Sequence, residues 1–193
     1  MEKIGVWFKA LFPRLLQRTK DLIVNPRETW AAIKDEETSW ALLLRRDLLV
    51  LAAFPSIAIL LGWGNDNISG YLGKAVLLYG FYIGGVYGLS RLIVYLSPKF
   101  GATPDSDAAF KLVFYSFWPI FITGLLFIIR LFAIFTLVGY VYGLYLLWLG
   151  LPVLLDSPAE KTFTFRLTAL AGLLITCYLI LILTIAGIYP IIF

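Results

Sequence analysis

Four tyrosines set in the interior of apolar runs, Tyr82, Tyr142, Tyr145 and Tyr178, are the residues of this chain best placed to do chemistry. Membrane tyrosines favour the interfaces, so a hydroxyl near mid-span needs a partner. It can bond a neighbouring helix as interhelical glue, or the four can line a polar path through a bundle together with Ser116, Thr123 and Thr176. Pro55, Pro119 and Pro152 add a related feature, because each deprives a carbonyl one turn earlier (Leu51, Tyr115, Trp148) of its amide partner. Such carbonyls hold ions in broken transporter helices, and elsewhere they mark simple kinks. Only Pro55 lies near the middle of its helix.

Other chemistries find little support. The chain has no histidine and one cysteine, Cys177. That excludes a disulfide within the chain, a zinc cluster and most histidine-dependent acid or base catalysis. Asp47, Asp107 and Asp156 stand at helix ends, so no carboxylate is expected inside a span, where a proton-coupled pump would need one. No glycine-rich phosphate loop, paired carboxylates or nucleophile beside a base is present. The expectation is a protein that is not an enzyme and carries no cofactor or metal.

The elements that must position these residues are membrane helices. Of 193 residues, 61% are hydrophobic and 15% charged, outside the range of a soluble domain. The stretch 110–161 organises the rest: between Leu112 and Leu155 the one charged side chain is Arg130, and each side of it is about one crossing of a hydrocarbon core ~30 Å thick. This is a helical hairpin with its turn at Arg130, where a cation can reach headgroups and water. The expected fold is all-α and polytopic, with five spans at about 47–64, 73–96, 108–129, 132–155 and 163–190. Ser157-Pro158-Ala159-Glu160 has the form of a capping box opening the fifth.

Residues 1–46 form a separate cytoplasmic annex ahead of the five-helix domain, 47–193. Up to Asn25 the pattern is amphipathic, with Phe8, Leu11, Leu15, Leu22 and Ile23 on one arc and Lys9, Arg14, Arg18 and Lys20 largely on the other. Those four cations are expected to meet anionic headgroups at the membrane surface, with Pro13 interrupting the helix. The alternative is that this face packs on the protein's own loops. Asn25-Pro26 then starts a short helix to about Lys34, with Asn25 as its cap. Lys9 and Arg14 interrupt any apolar run that could serve as a cleavable signal peptide.

Cations set the topology. Nine precede the first span (Lys3, Lys9, Arg14, Arg18, Lys20, Arg27, Lys34, Arg45, Arg46), and Arg91, Lys99, Lys111, Lys161 and Arg166 flank the second and fourth loops. With five alternating helices, fourteen of the sixteen Lys and Arg residues fall on one side, which places the N-terminus in the cytoplasm and the C-terminus outside. The net charge of +4 therefore reads as orientation rather than as a nucleic-acid surface.

Gly80, Gly84 and Gly88 recur every fourth residue on the second span, and Gly139 and Gly143 repeat the spacing on the fourth. Both stripes are expected to pack tightly, within the bundle or between protomers.

Several of these residues, in this order, resemble a known family. Asn25-Pro26 followed by Trp30, five crossings, Tyr115-Ser116 with Pro119, Tyr142-Gly143-x-Tyr145, and Gly150-Leu151-Pro152 leading to Pro158 together are similar to the Yip1 domain family, from about Asp21 onward. The resemblance implies an integral protein with a cytoplasmic N-terminus. Eukaryotic members are adaptors that bind prenylated Rab-type GTPases, but their long N-terminal region with an Asp-Leu-Tyr-Gly-Pro motif is missing here, so a GTPase partner is not carried over. The short tail is similar to prokaryotic members and implies a bacterial or archaeal cell membrane. Two functions follow for comparison: a membrane scaffold or adaptor working through lipid, itself or other membrane proteins, and a small channel or transporter with a tyrosine-lined path.

Overall fold

The computed structural model describes the backbone of residues 2–63 and 68–188, and all described residues in regular structure are helical. Helix α1 (Glu2–Val24) and α2 (Pro26–Asp35) precede α3, a composite over 40–63 built from a short α-turn (Trp40–Leu43), a π-turn (Leu44–Leu48) and a regular helix (Leu49–Trp63). Then come α4 (Ile68–Leu96), α5 (Ser106–Thr123), α6 (Thr136–Leu154) and α7 (Ala159–Ile188). Among the described residues, four stretches are long and apolar enough to cross a membrane: Ser69–Phe100, Ser106–Ile128, Leu131–Leu154 and Ala159–Thr184. The expected first span differs from these, because its regular part, Leu49–Trp63, has 15 residues and rises only about 22 Å.

Helix α5 is the central post. It packs against α3, α4 and α6, while α7 closes the ring between α4 and α6. Phe110, Leu112, Phe114, Phe117 and Phe121 on α5 are all buried, so the helix is enclosed on every side. The α5–α6 turn falls where the lone cation predicts it. It is made of two 3-10 segments, Gly124–Ile128 and Arg130–Phe135, joined through an extended Ile129. The Arg130 side chain, like those of residues 2–12, lies outside the described residues.

Three local expectations need correction. Helix α1 runs straight through Pro13, which sits on the exposed side where a freed carbonyl can be hydrated. Asn25 makes no side-chain cap; the start of α2 is instead held by Thr29, whose hydroxyl donates to the Asp21 and Asn25 carbonyls at 2.9 and 2.8 Å. At the start of α7, the Ser157 hydroxyl is engaged with Thr162 Oγ1 (2.9 Å), and Thr162 also donates to the Pro158 carbonyl (2.6 Å).

Candidate membrane and helix-packing surfaces

The first surface is the join between α1–α2 and the bundle. Helices α3, α4 and α6 leave one side of α5 open, and α1 and α2 cover it. Trp30 on α2 is fully buried, edge-on to Tyr115 at 6.3 Å, and rests in the notch left by Gly150: a Cβ there would stand 2.6 Å from the indole. The Trp118 indole N–H donates to Thr19 Oγ1 (2.9 Å), and the Tyr142 hydroxyl donates to the Leu22 carbonyl (2.9 Å), one of the orphan acceptors at the end of α1. Leu15 and Leu22 are buried beneath this join, whereas Leu16, Ile23 and Val24 remain exposed.

Ion pairs fasten the same join. Arg14 binds Asp47, and Arg18 binds Glu36. Asp47 is 3% exposed, turned inward by the π-turn at the head of α3, and also receives Arg46 Nη2 at 2.9 Å. Burial alone would lower the Arg18 pKa, but Tyr115, Glu36 and Asp21 reverse the effect and the guanidinium ends up more firmly protonated than in water. Lys111, 6% exposed on α5, donates to the Glu36 carbonyl and to the Ile33 carbonyl (3.3 Å). A cation there suits the negative end of the α2 dipole. Lys34 pairs with Asp156 at 2.6 Å, and the Trp40 amide donates to Asp107 Oδ1 at 2.6 Å.

These contacts revise two readings. Asp47 is a buried ion-pair centre rather than an ordinary boundary residue. Of the four cations assigned to headgroups, Arg14 and Arg18 are committed to carboxylates of the same chain, Lys20 is exposed, and the Lys9 side chain lies outside the described residues. Sequence separation hides the pairs, since Asp47 stands 33 positions after Arg14 and Glu36 18 positions after Arg18.

The four tyrosines do not converge on one path, although the Tyr142 and Tyr145 rings lie 5.5 Å apart. Tyr82 is buried on α4 against Phe121 (5.5 Å), with its hydroxyl beside that of Tyr140, and among the described residues neither hydroxyl reaches a partner of good hydrogen-bond geometry. Tyr142 turns to α1. Tyr145 and Tyr178 are 45% and 62% exposed and point out of the bundle. Sequence reading missed Tyr140, which falls on the same run as Tyr142 with nothing in its spacing to set it apart.

The glycine stripes behave differently from each other. On α6, Gly143 lies against α5, where a Cβ would meet the Ser116 carbonyl oxygen at 2.6 Å, and a Cβ at Gly139 would collide with Thr123 and the Pro119 carbonyl. At Gly80, Gly84 and Gly88 on α4, nothing lies within 4 Å of such a Cβ. Among the described residues nothing packs against that stripe. It lines an apolar groove of about 650 Å³ between α4 and α7, whose far wall includes Gly172, Ile175 and Thr176.

A family model for the Yip1 domain matches residues 20–184, a range that runs from the end of α1 through the last span. The chain belongs to the Yip1 domain family. It is similar to the inner membrane protein YohC of Escherichia coli strain K12 and of Escherichia coli O6:H1. Each is 29% identical over 153 residues, an alignment covering 72% of this chain and 78% of that protein. No solved structure matches. With four apolar spans and this family, the protein is a transmembrane protein of the Yip1 type.

Proposed function

We propose that this protein is a non-enzymatic scaffold or adaptor of a prokaryotic inner membrane, working by assembly with lipid, with itself or with other membrane proteins. Five crossings, a cytoplasmic N-terminus and an outside C-terminus belong to this reading. In support of the fifth crossing, the composite helix over 40–63 would rise about 36 Å, enough for the hydrocarbon core. The name of the relative YohC, an inner membrane protein, supports the location.

The observation that carries the proposal is the α1–α2 join. Buried Trp30, the Arg14–Asp47 and Arg18–Glu36 pairs and the Tyr142 bond to Leu22 hold these helices as a rigid platform against the α5–α6 flank of the bundle, with Leu16, Lys20, Ile23 and Val24 turned outward. A basic amphipathic edge of this kind suits the boundary between headgroups and acyl chains.

The test has two arms. Purified protein in liposomes should leak protons, monovalent ions and small solutes no faster than empty vesicles. Flux abolished by Tyr82→Phe or Tyr145→Phe would replace the scaffold with a transporter. Reversing Lys20 to Glu should weaken flotation of the N-terminal platform with anionic vesicles or its cross-linking to a partner, and no change in either would remove the platform's role.

A further inference from the structure

A helix lying flat in a membrane interface touches a span at one level, but α1 touches α5 at three descending ones. The Arg18 guanidinium stands 5.1 Å over the Tyr115 ring, Thr19 Oγ1 accepts from the Trp118 indole, and Ile23 shares a small cleft with Ile122. That cleft, about 220 Å³, also takes in Thr123 on α5 and Val138 and Gly139 on α6. Helix α2 then climbs back. Trp30 reaches Tyr115 and Gly150, and the Ile33 carbonyl accepts from Lys111 at 3.3 Å. From Lys111 to Ile122 along α5, and from Gly150 to Gly139 along α6, is about 16 Å.

Those levels carry the closed end of the α1–α2 hairpin, Val24-Asn25-Pro26, into the depth of the spans. Ile122 lies past the middle of Ser106–Ile128, and Gly139, counted from the same end of the bundle, past the middle of Leu131–Leu154. Ile23 and Val24 are each 61% exposed there, beside helices whose surroundings are acyl chains. Lys20, Arg27 and Glu28, each within one turn of the closed end, are exposed as well, and none forms an ion pair among the described residues. Charges at that depth are expensive in hydrocarbon. Headgroups and water must therefore come down to meet them, over a distance that the long Lys and Arg stems shorten.

We propose that α1–α2 is a re-entrant hairpin seated in a single leaflet, with Ile23 and Val24 among the acyl chains and with Lys20, Arg27 and Glu28 drawing headgroups down around it. The bilayer would be pinched at the α5–α6 flank alone, because the hairpin enters from one side. A helix of this kind buries its apolar residues at the acyl boundary and responds to the curvature of the leaflet that holds it. The proposal rests on the reading of α1–α2 as a lipid-facing platform and adds how deep that platform sits.

Fluorescence quenching in the full chain, reconstituted in liposomes on a Cys177→Ala background, tests the depth. A bimane attached at Val24→Cys should be quenched several-fold more by lipid brominated along its acyl chains than by aqueous iodide, and one at Glu37→Cys should show the reverse. Ile23→Cys serves where the Val24 variant fails to insert. Lys20→Gln, Arg27→Gln and Glu28→Gln together should lower the quenching of the Val24 label by a nitroxide on the lipid headgroup. Iodide quenching at Val24 as strong as at Glu37 would put the hairpin in water, and quenching by neither reagent would mean that a second copy or another protein covers it. Either result overturns the proposal, as would headgroup quenching that the triple variant leaves unchanged. A flux found in the liposome assay would sink the scaffold and leave the label's depth unaffected, whereas a shallow label would sink this proposal and leave the flotation response to Lys20→Glu in place.

Discussion

Gly139 and Gly143 on α6 and Gly80, Gly84 and Gly88 on α4 share one spacing and meet opposite fates. The first pair is pressed onto the α5 backbone, while the second set opens on an apolar groove with none of the described residues inside it. Small residues at intervals of four let another group come close, but spacing alone does not say whose group it is. In this bundle the difference comes from position around the central helix. Helix α6 must lie directly on α5, whereas the glycine face of α4 looks outward beside α7, where the surrounding solvent is lipid.

The sharpest way to break this comparison is to fill a notch that the chain already occupies. Gly150→Val should cost about 3 kcal/mol or more, since its side chain must displace the fully buried Trp30 that joins α2 to α6. A lowered thermal midpoint with proteolysis opening at 1–35 would show it. Next comes Asp47→Ala, which leaves Arg14 and Arg46 without their carboxylate. Because both arginines are partly exposed, the loss should be about 1–3 kcal/mol, and protease should cut α1 before the bundle melts. Tyr142→Phe and Trp118→Phe each remove one bond from the α1 join and should cost about 0.5–1.5 kcal/mol, visible as faster amide exchange over 15–24 with α4 and α7 unaffected. Lys34→Ala breaks an exposed pair with Asp156 and should change the midpoint by no more than about 1 kcal/mol.

Much of this fold is legible in sequence because hydrocarbon imposes a length. The hairpin around Arg130 and the last span stand out as uncharged runs of one bilayer thickness, and the structure places the α5–α6 turn at 124–135 accordingly. What sequence hides is long-range. Arg14 and Asp47 give no sign of each other across 33 residues, and the π-turn that turns Asp47 inward has no pattern of its own. Lys111, one cation near the start of an apolar helix, looks like a flank and proves to hold the end of α2. Tyr82 reads like Tyr145 and Tyr178, yet one is in the core and the others face outward, because a helix that is apolar all round carries no signal of which side is inside.

The account turns on one stripe being filled by the chain and the other not. The direct measurement is a matched pair of thermal unfolding curves, Gly143→Ala and Gly84→Ala, in the same detergent without added phospholipid. The added methyl at Gly143 meets the Ser116 carbonyl and should lower the midpoint by several degrees, an overpacking cost of about 1–3 kcal/mol. The methyl at Gly84 meets nothing and should leave the midpoint unchanged or raise it slightly, through helix propensity. Equal losses at both positions would contradict the account and show that the α4 stripe is packed inside the protein after all.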